Sequence, residues 1–186
     1  LGQGTRTVLE AVEAGQGPCD ADALLGLAAD ALRTDSRFAR ALEVVLGKRA
    51  EALVARDKDS ARAIAAWLAA RREGQVGVVL PAGLTQRGMR PIPECGPGII
   101  GRLYDFVRCS KDCEPLGRAL LGDVVIVDQL ERAIELIQLY PCWRFVTADG
   151  DLVDAAGLVG GFSDLTSGPV GRRSSAAEAT AAADAH

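Results

Sequence analysis

The chain has 186 residues, a length that suits one domain or two small associated halves. Apolar residues make up 48% of it, enough for a hydrophobic core, and the formal net charge of −4 excludes a protein built mainly to neutralise phosphate. No run of about eighteen uncharged apolar residues is present and no apolar signal region follows Leu1, so neither a membrane span nor secretion is expected.

The first predicted elements follow a glycine-rich, weakly patterned stretch at residues 1–22. The segment DSRFARALEVVLG predicts a helix, and EALVA predicts a short apolar strand after it. Asp57 is expected to accept hydrogen bonds from the first-turn amides of a second helix. The valine-rich segment QVGVVLP, residues 75–81, predicts the next strand. The second helix is predicted to bury one face through Ala61, Ile64 and Leu68.

A second half repeats this order after a proline-rich connection at residues 81–101. CEPLGRALLG predicts a helix, DVVIV a strand, and WRFVTADG at 143–150 a further strand. Asp128 is expected to cap the intervening helix, with Glu131 at the capping-box position. The repeated order indicates an internal duplication of a helix–strand–helix–strand unit within a mixed α/β fold. The buried face of this helix is predicted to consist of Leu130, Ala133, Ile134 and Ile137.

The end of the patterned region is an alternating strand interrupted by glycines, GDLVDAAGLVGGF at residues 150–162. Glycines in a strand mark a bend, a bulge or a close backbone approach. Spacing alone leaves two interpretations open, a flexible turn or a sheet edge on which another subunit's backbone settles. The alanine-rich residues 163–186 are expected to be an outgoing coiled-coil arm or a disordered tail.

A G-x-G-x-x-G pattern at Gly96, Gly98 and Gly101 raises the alternative of a small nucleotide-binding enzyme. In a dinucleotide-binding fold, such a turn lies between a strand and the start of a helix. Here prolines precede the turn, and the segment RLYDFV after it is predicted to be a strand. A structural loop is therefore favoured, and neither a cofactor nor a small-molecule substrate is expected.

The cysteines and the histidine do not favour a zinc site or a catalytic histidine. Cys109 and Cys113, with Cys95 and Cys142, could form a thiolate zinc site, but their spacing is unlike that of usual ligand pairs. Free thiols in a reducing cytosol are favoured. The single histidine is the terminal His186, so a catalytic imidazole is not expected, and no carboxylate pair stands out for acid/base work.

Several blocks taken together resemble the SMC (structural maintenance of chromosomes) hinge family in order and spacing over about residues 8–162. They are RALEVVLGKRAEALVARDKDSARAIAAWL, GQVGVVLP, GIIGRLYDFV, LGRALLGDVVIVDQLERAIEL and FVTADGDLVDAAGLVGGF. The resemblance implies one hinge domain over residues 1–162, with pseudo-symmetric halves of about 8–83 and 96–162 and a linker at 84–95. The chain departs from the family pattern at Gly160, Phe162 and the Ala82-Gly83 that follows Leu80-Pro81.

The resemblance also implies a homodimer that joins two coiled-coil arms through two sheet-augmenting contacts. One half of each contact would come from the last strand and the other from the strand after the first repeat's second helix. The implied interface residues are Gly157, Leu158, Val159, Gly160 and Gly161, together with Gln75, Val76, Gly77, Val78 and Val79.

Weak, sequence-independent DNA binding near the arms is a further implication, for which local basic clusters are the candidates. Solvated surface charge explains these clusters equally well. We expect a fragment of a cytoplasmic, nucleoid-associated protein that organises chromosomes, with its ATPase chemistry in head domains outside this chain. The clusters are Lys48 and Arg49, Arg71 and Arg72, and Arg172 and Arg173.

Overall fold

The computed structural model describes residues 1–81, 89–93 and 96–161. It contains six α-helices and ten strands over these ranges. The helices are α1 (Gln3–Glu13), α2 (Ala28–Ala31), α3 (Ser36–Leu46), α4 (Lys58–Arg71), α5 (Glu114–Leu121) and α6 (Leu130–Leu139). The strands are β1 (Leu24–Leu27), β2 (Leu32–Thr34), β3 (Leu53–Ala55), β4 (Val78–Val79), β5 (Ile99–Arg102), β6 (Val107–Cys109), β7 (Val124–Val127), β8 (Arg144–Thr147), β9 (Leu152–Asp154) and β10 (Gly157–Val159).

The two halves of the chain share one order of elements. The order β1-β2-α3-β3-α4-β4 is repeated as β5-β6-α5-β7-α6-β8. In each repeat the first strand is antiparallel to the third, and the third is parallel to the last. The mixed α/β fold and the duplicated unit predicted from the sequence are therefore confirmed.

A two-stranded antiparallel ribbon joins the repeats. Its strands are β2 from the first repeat and β6 from the second, and Arg33 stands opposite Arg108 at its centre. The flanking pairs are Leu32 with Cys109 and Thr34 with Val107. Because an antiparallel pair relates its strands by a local twofold axis, the pseudo-symmetry axis of the chain passes between the two arginines.

The repeats differ in the strands that come after the shared unit. In the second repeat, β9 and β10 extend the sheet to the order β10-β9-β8-β7-β5. The first repeat has the order β1-β3-β4. Among the described residues, β4 and β10 therefore each form one edge of a sheet.

The main hydrophobic core lies between the repeats and takes side chains from both. Leu32 and Leu42 of the first repeat pack with Leu103, Leu121 and Ile126 of the second, and all five are fully buried. Because the largest cluster of buried residues is shared in this way, the two repeats are expected to unfold as one unit.

The two predicted helix caps differ in outcome. The prediction at Asp57 is confirmed, because its Oδ1 accepts a hydrogen bond of 2.8 Å from the Ser60 amide. The prediction at Asp128 is wrong, because α6 begins at Leu130, one residue too late for Asp128 to be its cap. The cap position is occupied by Gln129, whose side chain makes no capping hydrogen bond. A capping oxygen has to reach the amide two or three residues on, so this shift removes Asp128 from the role.

The predicted buried face of α6 needs one correction. Ala133 is buried and Leu130 and Ile137 are half-buried, but the Ile134 side chain is 43% exposed and Leu136 takes its place in the core. On α4 the predicted Ile64 and Leu68 are buried, and Ala61 is half-buried against the same cluster.

Three local predictions were incomplete. Residues 1–22, for which no element was predicted, contain α1, whose Gly4 lies against the backbone of Gln75. The strand predicted at 75–81 is limited to Val78–Val79. RLYDFV is not continuous strand, because a turn of 3₁₀-helix at Leu103–Phe106 separates β5 from β6.

Leu32→Ala is expected to lower the free energy of unfolding by about 2–5 kcal/mol, because it opens a cavity beneath the ribbon in the shared core. The measurement is urea unfolding followed by circular dichroism, in which both repeats should unfold in one transition. The matched control, Ile134→Ala at an exposed site, is expected to change stability by less than about 1 kcal/mol. Two separate transitions in the wild type would contradict a shared core.

Asp57→Ala is expected to destabilise the protein more than Asp128→Ala, since only Asp57 caps its helix. The Ser60 amide that donates to Asp57 lowers the pKa of this carboxyl from 3.8. The stabilisation by this cap is therefore complete at pH values above the pKa of Asp57 in the unfolded chain. It is lost as the pH falls through the lower pKa of Asp57 in the folded protein. Thermal unfolding should show the difference between the variants at pH 7 and its disappearance in strong acid; equal effects at pH 7 would contradict the cap.

Candidate functional site

Strand β10 is an apolar sheet edge. Leu158 and Val159 are 52% and 59% exposed, unusual values for large apolar side chains in a strand. One side of β10 pairs with β9, with Leu158 opposite Val153. Its other side faces no strand within the described ranges. An edge of this kind offers free amides, free carbonyls and apolar surface to another chain.

A tight turn places β10 beside β9. Asp154 Oδ1 accepts hydrogen bonds from the amides of Ala156 (2.7 Å) and Gly157 (3.0 Å). Gly157 then has φ 152° and Gly161, after the strand, has φ 125°. These backbone conformations favour glycine. The hairpin is therefore fixed by the Asp154 side chain and by glycines at both ends of β10.

The three glycines of this segment have different surroundings. A Cβ atom built on Gly157 or Gly161 would meet no atom within 4 Å. A Cβ atom on Gly160 would lie 2.5 Å from Asp151 Oδ1. A glycine is therefore required at position 160 because the Asp151 side chain of the same chain leaves no room for a Cβ atom. The space around Gly157 and Gly161 is open to another molecule.

A shallow groove of about 280 Å³ runs beside the end of β10. It separates the strand from α3, and both charged and apolar groups line it. A side chain entering from a neighbouring molecule would find an apolar wall at Val159 and charged groups on α3. Its lining residues are Arg40, Glu43, Val44, Asp149, Gly150, Val159, Gly160 and Gly161.

Strand β4 forms the second open edge. Val78 and Val79 are half-buried and pair in parallel with Leu53 and Val54 of β3. Before them, the Gly77 carbonyl accepts a hydrogen bond of 2.8 Å from the Leu53 amide. The ten residues predicted for the interface therefore lie in or directly beside β4 and β10, which belong to two different sheets. The structure does not bring the two groups together within one chain.

The predicted basic clusters of the described part are exposed. Lys48 and Arg49 lie in the 3₁₀ turn after α3, and Arg71 ends α4. The Arg71 guanidinium lies 4.2 Å from the centre of the Trp67 ring, and Arg72 follows in the left-handed conformation with φ 56°. The third predicted cluster, Arg172 and Arg173, lies outside the described residues.

The glycine motif lacks the arrangement that holds a pyrophosphate. Its last glycine, Gly101, belongs to β5 itself, so the motif leads into a strand instead of opening an α-helix. A Cβ atom on Gly98 would lie 3.0 Å from Asp128 Oδ1, which places a carboxylate directly beside the loop. A negative charge there opposes a bound phosphate, and the Arg132 side chain of α6 packs against the same glycine.

The cysteines show no metal arrangement in the described residues, where no cluster of three potential ligand side chains occurs. Burial raises the pKa of the Cys109 thiol to about 11, with a smaller contribution from neighbouring Cys113. Cys113 is buried and Cys142 is exposed, while Cys95 lies outside the described residues. A thiol with a raised pKa is a poor nucleophile at neutral pH.

No helix in the described ranges has the length and apolar character needed to cross a membrane.

Comparison with known protein families identifies this architecture. The family described as "SMC proteins Flexible Hinge Domain" matches residues 21–137. The chain therefore belongs to the SMC hinge family, which confirms the resemblance found in the sequence.

The curated relatives that it matches are chromosome partition proteins named Smc. The protein of Rhodopirellula baltica is 32% identical over 166 residues, which cover 84% of this chain and 13% of that protein. The protein of Mycolicibacterium paratuberculosis is 33% identical over 144 residues, covering 76% and 12%. The chain thus spans about an eighth of the length of these relatives.

Solved hinge domains share the fold. An asymmetric dimer of the Geobacillus stearothermophilus SMC hinge domain gives a TM-score of 0.73 at 24% identity, over 88% of this chain and 67% of that one. The Pyrococcus furiosus SMC hinge domain gives 0.66 at 25% identity, over 86% and 80%.

Proposed function

We propose that this chain is the homodimerisation hinge of a chromosome-organising SMC protein and that it joins two coiled-coil arms. The observation that carries the proposal is that β10 and β4 lie at the edges of two different sheets and that β10 exposes Leu158 and Val159. The similar hinge domain of Geobacillus stearothermophilus is described as an asymmetric dimer, which supports dimerisation here. The ATPase chemistry of the whole protein would lie in head domains outside this chain, and the protein would act in the cytoplasm at the nucleoid.

In the proposed dimer, β10 of each copy adds to β4 of the other. Main-chain hydrogen bonds between the strands would supply affinity, and the burial of Leu158 and Val159 would add to it. Because each copy has both edges, two such contacts close a ring. The second contact forms within an assembly already held by the first, so its effective concentration is high.

The glycines around β10 fit this arrangement. Gly157 and Gly161 leave open space where side chains would otherwise hold a second backbone away. Gly77, just before β4, is also exposed, but a Cβ atom there would lie 3.1 Å from the Ala52 Cβ, so packing within the chain already accounts for this glycine. The limits of the hinge domain at residues 1–162 remain part of this proposal.

We expect light scattering across a dilution series to give a molar mass near twice the 19.4 kDa of one chain. Gly157→Glu and Gly161→Glu should shift this mass toward the monomer, because a charged side chain would enter the strand contact. Gly157→Ala, which has the same backbone strain without the charge, is the control and should retain more dimer. A monomer at every wild-type concentration, or an unchanged dimer in both glutamate variants, would contradict the proposed interface.

The same hinge is proposed to bind DNA weakly and without sequence preference through its exposed basic clusters. Arg71→Glu/Arg72→Glu should weaken binding to a short duplex at low salt, as measured by fluorescence anisotropy, because phosphate contacts dominate such binding. The control with the same change of net charge is Arg56→Glu/Arg62→Glu, of which Arg56 precedes α4 and Arg62 lies in its first half. Equal losses in both double variants would indicate an effect of net charge alone and would contradict a local site.

A further inference from the structure

The β2–β6 ribbon presents two arginines side by side. Arg33 and Arg108 are directly opposite in the register, and both side chains are exposed. Cβ atoms in such cross-strand pairs are about 4.5–5.5 Å apart. Two positive charges at this separation repel each other and weaken the pairing of the strands.

No carboxylate in the described part of the chain forms an ion pair that would offset this repulsion. Neither the Arg33 side chain nor the Arg108 side chain makes a hydrogen bond or an ion pair there, although Arg62, Arg118, Arg132 and Arg144 all pair with carboxylates. Carboxylates are present close by in the chain, but none lies within ion-pair distance of either arginine. The neighbouring carboxylates are Asp35, Asp105 and Asp112.

The ribbon holds the two arginines in a fixed position. Leu32, beside Arg33, is fully buried and Val107, beside Arg108, is 9% exposed, so the alternation of the strands directs both arginines to solvent. The ends of the ribbon are tied by hydrogen bonds from Thr34 Oγ1 to the Phe106 carbonyl (2.7 Å) and from the Ser110 amide to the Ala31 carbonyl (3.2 Å). A ligand would therefore meet two guanidinium groups whose backbone needs no rearrangement.

We propose that Arg33 and Arg108 form an anion-binding site on the pseudo-twofold axis, which contacts the phosphodiester backbone of DNA. Guanidinium groups donate paired hydrogen bonds to phosphate oxygens, and an anion between the two side chains would also remove their mutual repulsion. The neighbouring carboxylates limit the site to one or two phosphates instead of a long tract. The inference rests on the proposed DNA binding of the hinge and assigns to it a site that differs from the Arg71 and Arg72 cluster.

The test compares Arg33→Gln/Arg108→Gln with the wild type in DNA titrations at salt concentrations between about 50 and 200 mM. Loss of two phosphate contacts should lower the slope of log affinity against log salt by about two and weaken binding at the low-salt end by roughly tenfold. The control, Arg56→Gln/Arg62→Gln, makes the same change of net charge and should keep the wild-type slope. The dimer mass should be unchanged, since the ribbon contains neither β4 nor β10.

A second measurement tests the repulsion without DNA. Arg33→Gln alone should raise the thermal unfolding midpoint by about 1–3 °C, because it removes a like-charge cross-strand pair. Duplex DNA should then protect the wild type against heat more than it protects the variant. A lowered midpoint would show that the arginines stabilise the ribbon and would overturn the argument.

The outcomes separate this inference from the proposed function. If the ribbon variant binds duplex like the wild type while Arg71→Glu/Arg72→Glu is impaired, the ribbon site is wrong and DNA binding by the hinge stands. If inorganic phosphate protects the wild type but not the ribbon variant, with duplex binding equal in both, the site takes free anions and the assignment to DNA is wrong. If the wild type binds no duplex at all, both DNA proposals fail, whereas the dimer is judged independently by its mass.

Discussion

The antiparallel pairing of β2 with β6 is the constraint on which the rest of the structure depends. Three residue pairs join the repeats, and Leu32 on the inner side of the ribbon is fully buried with Leu103 and Leu121. Small domains bury a low fraction of their surface, so a core shared by two repeats stabilises both more than separate cores would. The same pairing orients the two sheets relative to each other and thereby decides where their free edges lie.

The two repeats differ in the strand that forms the free edge of their sheets. Only the second repeat continues into the β9–β10 hairpin within the described residues, so β10 ends one sheet whereas β4 ends the other. Two identical copies can satisfy both edges in a closed, twofold arrangement, which avoids the open-ended association that exposed strands otherwise promote. Because the chain as a whole carries a net charge of −4, contacts with a polyanion depend on where single arginines are placed.

The order of elements could be predicted from the sequence because it depends on local patterns. The apolar periodicity of α3 and the continuous valine and isoleucine run of β7 identify both elements without tertiary information. Helix ends were predicted less well. The cap at Asp57 was predicted correctly, but Asp128 lies one residue before the cap position of α6. The helix α1 was missed because the glycines in and around it suggested a loop, although Val8, Leu9 and Val12 have helical spacing. Gly4 is explained only by the backbone of Gln75 packed against it.

By itself, the sequence determined the mixed α/β class, the duplication and, through its resemblance to SMC hinges, the segments proposed to meet a second copy. The tertiary structure decided which strands pair across the repeats, that β4 and β10 are edges of different sheets, and that Arg33 stands opposite Arg108. It also decided that α6 buries Leu136 and exposes Ile134. Hydrophobic periodicity is a property of neighbouring residues, but register and edge position arise from contacts between segments far apart in the chain, for which a single sequence has no local signal.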